Sequence, residues 1–302
     1  MPTQLIHYTD YSGVEPAIVL IHGFTCDVSD WDHQVKWCRD NGRRVITLDP
    51  RGHGQSNYFK SASNMTTMGS DVATLLQHLS VRSAIIVGHS MGTRVATEVA
   101  LQIPDVIVGV ALVDGSRKAR GDPSEAIADF LAKIGQIGLA DYTQIMFDSM
   151  FLPGEDEVQK KCTMERARAR PSDIGMDAIL SLLRWDAVDF DRCYGRLDVP
   201  VQVIQSSHKN NSGERIPITA DMSIDWHREI EACGVNAEFE MVTECGHFTM
   251  LDAPDSVNAS LERLLARIEE VERQLKRAEA VCAKYLSRTI SGNCSISNAL
   301  LL

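Results

Sequence analysis

Short runs of apolar, largely β-branched residues recur along the chain: AIVLI (17–21), VITL (45–48), AIIV (84–87), VIVGVALV (106–113), VQVI (201–204) and FEMV (239–242). Most are apolar at consecutive positions, the pattern of strands covered by helices on both faces. Between them apolar residues return at helical spacing. The stretch 29–40 closes on Asn41-Gly42, a helix stop. The stretch 68–79 puts Val72, Leu75, Leu76 and Leu79 on one face, and 91–102 ends before Pro104. Strands alternating with helices in this way predict an α/β fold with a doubly wound, mostly parallel sheet.

Two regions break the rhythm. From Gly115 to Leu197 there is no convincing strand, only helical patterns at 124–135, 142–151, 156–170 and 176–185. That length exceeds a plain connection and predicts a helical cap inserted over one sheet edge; a pair of long crossover helices is the alternative. Near the end, Leu261, Leu264, Ile268, Val271, Leu275, Ala278, Val281 and Tyr285 recur every three or four residues among Glu, Arg, Lys and Gln. This predicts a long amphipathic helix, either packed along its own domain or forming a homodimer contact of coiled-coil type. The segment after Ser287 reads as a loosely ordered tail. The expected division is a core of 1–115 and 197–265, a cap of 116–196, and a C-terminal helix and tail of 266–302.

Charge narrows the partners. There are 41 acidic against 30 basic side chains, a net charge of −11, so no nucleic acid partner is expected. No uninterrupted apolar run is long enough for a membrane span, and the first residues lack a basic stretch followed by an apolar one. Eight scattered cysteines without a C-x-x-C pair fit reduced thiols in a cytoplasmic protein better than disulfides or zinc. Neither a metal nor an organic cofactor is called for.

The residues that carry chemistry stand where strands end. Gly88-His89-Ser90-Met91-Gly92 directly follows the run AIIV and directly precedes a helix. A serine at such a junction is pushed out above the sheet on a tight turn, and the helix beginning there aims N–H groups at an oxyanion. A Gly-rich turn without function is the bland alternative. His22-Gly23-Phe24 follows the first run, so the N–H groups of Phe24 and Met91 are the candidate oxyanion hole. Asp49-Pro50-Arg51-Gly52-His53-Gly54-Gln55-Ser56 follows the second run.

Together these pieces resemble the α/β-hydrolase superfamily over about residues 15–265. The resemblance implies an oxyanion loop at Phe24, a structural turn at Arg51–Ser56 and a nucleophile at Ser90. The base is expected at His247, in Glu244-Cys245-Gly246-His247-Phe248 after the last strand. His22, His53 and His89 fall at motif positions that are structural in the family, and His7, His33, His78, His208 and His227 read as surface residues. The family commonly places its acid after VPVQVI, but Gln205-Ser206-Ser207-His208-Lys209-Asn210 holds no carboxylate. Asp114, one strand earlier, keeps the order Ser…acid…His and is favoured over Glu214, Asp221 and Asp225; some branches of the family, among them zearalenone-type lactonases and cofactor-free quinolone dioxygenases, are similar in this respect. A helix N-cap is the bland reading of Asp114.

The expected activity is hydrolysis of a carboxylic ester or lactone by a Ser90–His247–Asp114 triad. The substrate is expected to be a hydrophobic small molecule, because Phe130, Tyr142, Met146, Phe147, Met150, Phe151 and Trp185 make the cap apolar. Of these Met146 and Trp185, with His22, Gly23 and His89 from the motifs, are the expected substrate contacts. Dehalogenases and epoxide hydrolases need an aspartate where Ser90 stands. A cofactor-independent dioxygenase acting on an N-heteroaromatic substrate through a His–Asp dyad is the competing enzyme, and a non-catalytic receptor or scaffold of the same fold is the third reading.

Overall fold

The computed structural model describes residues 6–57, 63–152, 154, 156–168, 172–210 and 215–297. Strands β1 (Tyr8–Tyr11), β2 (Val14–Ile21), β3 (Arg43–Leu48), β4 (Ala84–His89), β5 (Ile107–Val113), β6 (Val201–Gln205) and β9 (Ala237–Met241) form one sheet in the order β1-β3-β2-β4-β5-β6-β9. Only β1 runs antiparallel, paired with β3; the pairs from β3 through β9 are parallel. The six expected runs are all strands. Strands β2 to β6 are buried at consecutive positions because helices cover both faces. Helix α1 (Asp32–Asp40) and the start of α11 (Pro254–Ser297) lie together on one side, and α2 (Met65–His78) and α3 (Gly92–Gln102) on the other. This is the expected doubly wound α/β arrangement.

Between β5 and β6 the described residues form helices joined by loops, with no strand. The helices are α4 (Pro123–Ile137), α5 (Leu139–Asp148), α6 (Glu157–Arg168), α7 (Ser172–Val188) and α8 (Phe190–Tyr194). Helix α7 is tied to α3 by a buried ion pair: Arg94 donates through Nε and Nη2 to the two Asp186 oxygens at 2.9 and 2.7 Å. Trp185 lies in the same seam, donating its indole N–H to Glu98 at 2.8 Å. The residues after β6 make a two-stranded antiparallel ribbon, β7 (Ser207–Lys209) with β8 (Arg215–Pro217), that sequence patterning does not announce. Short helices α9 (Asp225–Ala232) and α10 (Thr249–Asp252) complete the set.

The C-terminal helix corrects one expectation. The segment after Ser287, expected as a loose tail, continues α11 through Ser297; residues 298–302 lie outside the described residues. No proline follows Pro254 to interrupt the backbone ladder. The helix buries Leu261, Leu264, Leu265 and Ile268, and then its apolar stripe emerges, with Val271 39% and Leu275 59% exposed. Among the described residues no helix is long and apolar enough to cross a membrane.

Candidate active site

Ser90 sits at the turn between β4 and α3 with φ at 53°, in the left-handed region. A side chain rarely adopts that conformation, and the surroundings impose it. A Cβ on Gly88 would lie 2.2 Å from the Gly92 carbonyl oxygen, and one on Gly92 would lie 2.5 Å from the Ile21 oxygen. The two glycines of the pentapeptide therefore let the turn fold back on itself and press against the end of β2. The turn is closed by Ser90 N–H donating to the Val113 carbonyl at 3.0 Å and by Thr93 Oγ1 donating to the Ser90 carbonyl at 2.7 Å.

His247 and Asp114 meet Ser90 from two other strand ends. The Ser90 hydroxyl lies 2.8 Å from His247 Nε2, and His247 Nδ1 donates to Asp114 Oδ2 at 2.5 Å. Asp114, immediately after β5, also has a positive φ, 40°. The loop carrying His247 is fixed on three sides. Its N–H donates to the Met150 carbonyl at 3.0 Å, its carbonyl accepts from His89 Nε2 at 2.8 Å, and the preceding Gly246 carbonyl accepts from Ser206 Oγ at 2.6 Å.

Donors on the next strand fill the place where a carboxylate was missing from the sequence. Asp114 Oδ1 accepts from the backbone N–H groups of Ser206 and Ser207 at 3.0 and 3.1 Å and from Gln205 Nε2 at 2.9 Å. Asp114 Oδ2 accepts from Ser207 Oγ at 2.9 Å and faces Arg215 Nη1 at 3.2 Å. Burial alone would raise this carboxyl's pKa. The His247 bond, the charges of His247 and Arg215 and the Ser206 N–H outweigh it and hold the pKa at about 2. His247 moves well below its ordinary value: burial and the Arg215 charge disfavour the imidazolium more than Asp114 favours it. The imidazole is therefore neutral at pH 7, ready to accept a proton. Arg215 went unnoticed in the sequence because a ribbon of three-residue strands carries it to Asp114. Of the other acids considered, the two that are described do not reach His247. Asp221 is exposed beside Thr219, Asp225 is exposed in a pair with Arg228, and Glu214 lies outside the described residues.

A cavity of about 360 Å³ opens onto Ser90 and His247, within the range of small-molecule sites. Phe24, Met91, Phe130, Tyr142, Met146 and Leu182 are among its walls. Among the described residues the N–H groups of Phe24 and Met91 have no protein acceptor. Gly23 packs against the Ser90 side chain, where an added Cβ would sit 3.2 Å from Ser90 Cβ.

Three expected substrate contacts are corrected. His22 is fully buried, donating Nδ1 to the Gly23 carbonyl with Nε2 3.2 Å from Asp49, and so holds the loop rather than facing the cavity. His89 is spent on the His247 carbonyl. Trp185 is 2% exposed and packs edge-on to Phe190 and Tyr194, because its N–H is taken by Glu98. Phe147 and Phe151 likewise belong to the core, Phe151 stacked on Phe248 at 5.1 Å. His227, read as a surface residue, is buried beside Phe239, and burial pushes its pKa down to about 4. Asp49 is the hub of its motif, accepting from the Val28 and Gln55 N–H groups and from His7.

Comparison with known proteins agrees with this architecture. The mouse (Mus musculus) sn-1-specific diacylglycerol lipase ABHD11 is 35% identical over 127 residues, 42% of this chain and 41% of the lipase, so the chain matches well under two thirds of that relative. The (E)-2-((N-methylformamido)methylene)succinate hydrolase of Acinetobacter baylyi is 26% identical over 267 residues, 86% of this chain and 93% of that protein. The solved enol-lactonase of Burkholderia xenovorans LB400 superposes with a TM-score of 0.68 at 22% identity, over 86% of this chain and 96% of the lactonase. A family model described as alpha/beta hydrolase fold matches residues 16–254, and with a match of that extent the chain belongs to the alpha/beta hydrolase fold family.

Proposed function

We propose that the chain is a serine hydrolase that cleaves a carboxylic ester or lactone of a largely apolar small molecule, with α4–α8 serving as a cap over the site. The observation that carries this reading is the continuous hydrogen-bond line from Ser90 through His247 to Asp114 at the floor of an apolar cavity. In the proposed reaction Ser90 Oγ attacks the carbonyl carbon while its proton passes to His247 Nε2. The tetrahedral oxyanion is received by the N–H groups of Phe24 and Met91; losing one such donor costs about 3–4 kcal/mol. His247 then gives the proton to the departing alkoxide, and the acyl group stays on Ser90. A water attacks the acyl-serine by the same route, with His247 taking its proton and returning it to Ser90. Asp114 keeps Nδ1 protonated and Nε2 free, and balances the imidazolium as it forms.

The His247–Asp114 pair with its acid on β5 also suits a cofactor-independent dioxygenase, in which the imidazole deprotonates the substrate and Ser90 only hydrogen-bonds to it. Ser90→Ala separates the two. The expected result is a folded protein that loses ester hydrolysis by several orders of magnitude and no longer reacts with a fluorophosphonate probe. Near-native turnover in Ser90→Ala with dioxygen consumed would sink the hydrolase reading.

A further inference from the structure

Arg94 stands in the first turn of α3 and is 2% exposed. A cation is doubly out of place there. Burial strips its water, and the first turn of a helix carries the positive end of the backbone dipoles. Asp186 of α7, itself fully buried, supplies the opposite charge. An apolar pair would join α3 to α7 without either cost, so the fastening of two helices does not account for these residues.

The contacts of the guanidinium do. Every N–H it has meets an acceptor. Nε and Nη2 donate to the two Asp186 oxygens, Nη1 donates to the Ser90 carbonyl at 2.9 Å and to Thr93 Oγ1 at 3.1 Å, and Nη2 donates also to the Ser116 carbonyl. Ser116 lies in the loop that follows Asp114, and among the described residues its carbonyl has no other protein donor. Asp186 holds the same loop: its Oδ2 accepts the Lys118 N–H at 2.6 Å and its carbonyl accepts Arg117 Nε at 3.0 Å. Ser90 and Asp114 are both non-glycine residues at positive φ, 53° and 40°. Such conformations persist only where the neighbours over-determine them. One guanidinium reaches the backbone at the first and close to the second.

We propose that Arg94 is a positioning residue: its guanidinium, held by Asp186, braces the Ser90 turn against the loop after Asp114, so that hydroxyl, imidazole and carboxylate stay in line. Arg94 acts through these backbone contacts and not on the substrate. Lysine cannot take its place, since an ammonium presents its donors from one centre and does not span both carbonyls. The inference deepens the hydrolase reading and rests on it for the roles of Ser90, His247 and Asp114.

Two variants test it. Arg94→Lys keeps a charge opposite Asp186. Arg94→Met combined with Asp186→Leu replaces the buried pair by apolar side chains, an exchange that is often neutral or stabilising. Active sites are counted with a fluorophosphonate probe, so the folded fraction drops out. Per active site, kcat for an aryl ester should fall about tenfold or more in both variants, while KM stays within about twofold. A wild-type kcat in either folded variant overturns the proposal, because a pair that only fastens helices gives that result in the double variant. A loss carried by KM alone overturns it too. A second readout needs no ester. The Nδ1 proton of His247, in its bond to Asp114, resonates far downfield of the backbone amides. In Arg94→Lys it should move upfield or broaden away at constant pH, and an unchanged resonance overturns the proposal. A wild type that neither cleaves the ester nor takes the probe ends the hydrolase reading instead, and the resonance then decides for Arg94.

Discussion

Asp114 receives more donors than the orientation of one imidazole requires. Backbone N–H groups of Ser206 and Ser207, the Gln205 amide and the Ser207 hydroxyl converge on it, and Arg215 faces it. Such a carboxylate stays ionised, and an amide in its place would present an N–H where oxygen is needed. Asp114→Asn is expected to fold but to lose about 10⁴ in turnover, as when the tautomer of a triad histidine is lost. Asp221→Asn and Asp225→Asn should change turnover little, since both side chains are exposed; steady-state kinetics on the three variants checks this. The pH profile carries the second expectation. In the proposed mechanism His247 works as a base only when neutral, and its pKa lies well below its ordinary value, so activity should persist as pH falls past 6.5 and be lost only further down. Arg215→Gln removes a charge that opposes protonation, so the acid limb of kcat/KM should move up toward neutrality. Ser90, His247 and Asp114 were legible because each follows an apolar run at the same edge of the sheet. Arg215 was not, since its place depends on how a loop after β6 folds back, which leaves no periodicity.

Element by element, legibility followed apolar content. Strands β2 to β6 stand out because both their faces are buried, whereas β1, YTDY, is short, partly buried and polar enough to read as loop. Helix α7 was expected to contribute Trp185 to the substrate; periodicity locates an apolar face but does not say which of two neighbours it meets. Helix α11 shows the same limit. Its pattern runs without a break from Leu261 to beyond Leu275, yet the stripe is buried through Ile268 and exposed at Val271 and Leu275. At about 1.5 Å per residue its 44 residues span about 66 Å. Deleting the chain after Glu270 should therefore leave turnover intact and the melting temperature within a few degrees. The exposed continuation of the stripe favours pairing with a second copy, so sedimentation of full-length and shortened protein should show the larger assembly only for the former. A full-length monomer at micromolar concentration would reserve the stripe for its own fold.

At the scale of the whole molecule, the helices over the site are fastened unequally. Helix α7 is bolted to α3 through Arg94–Asp186 and to the start of α2 by Met65 N–H donating to Ser181 Oγ at 3.0 Å. Helix α6 is fastened by Arg166, which donates to Asp27 and Asp30 at 2.8 and 2.6 Å, and α5 sinks Phe147 into the main core. Helix α4 buries Phe130 and Ile134 in a satellite cluster with Ala119 and Leu183 rather than in the main core, and Leu131 and Ile137 are exposed. It is bracketed by Gly121 and Gly138, at φ of 71° and 80°. Helices α5, α6 and α7 are thus held to the rest of the fold while α4 rests on its satellite cluster, and access to Ser90 is expected to depend on movement of α4. Amides of α4 should accordingly exchange with deuterium well before those of α7, and a ligand in the cavity should slow α4 while leaving α7 as it was. On that expectation the traffic of molecules in and out is uncoupled from the alignment of the groups at the site, and a change that loosens α4 should alter how fast the site fills and empties while leaving the Ser90–His247–Asp114 geometry as it is.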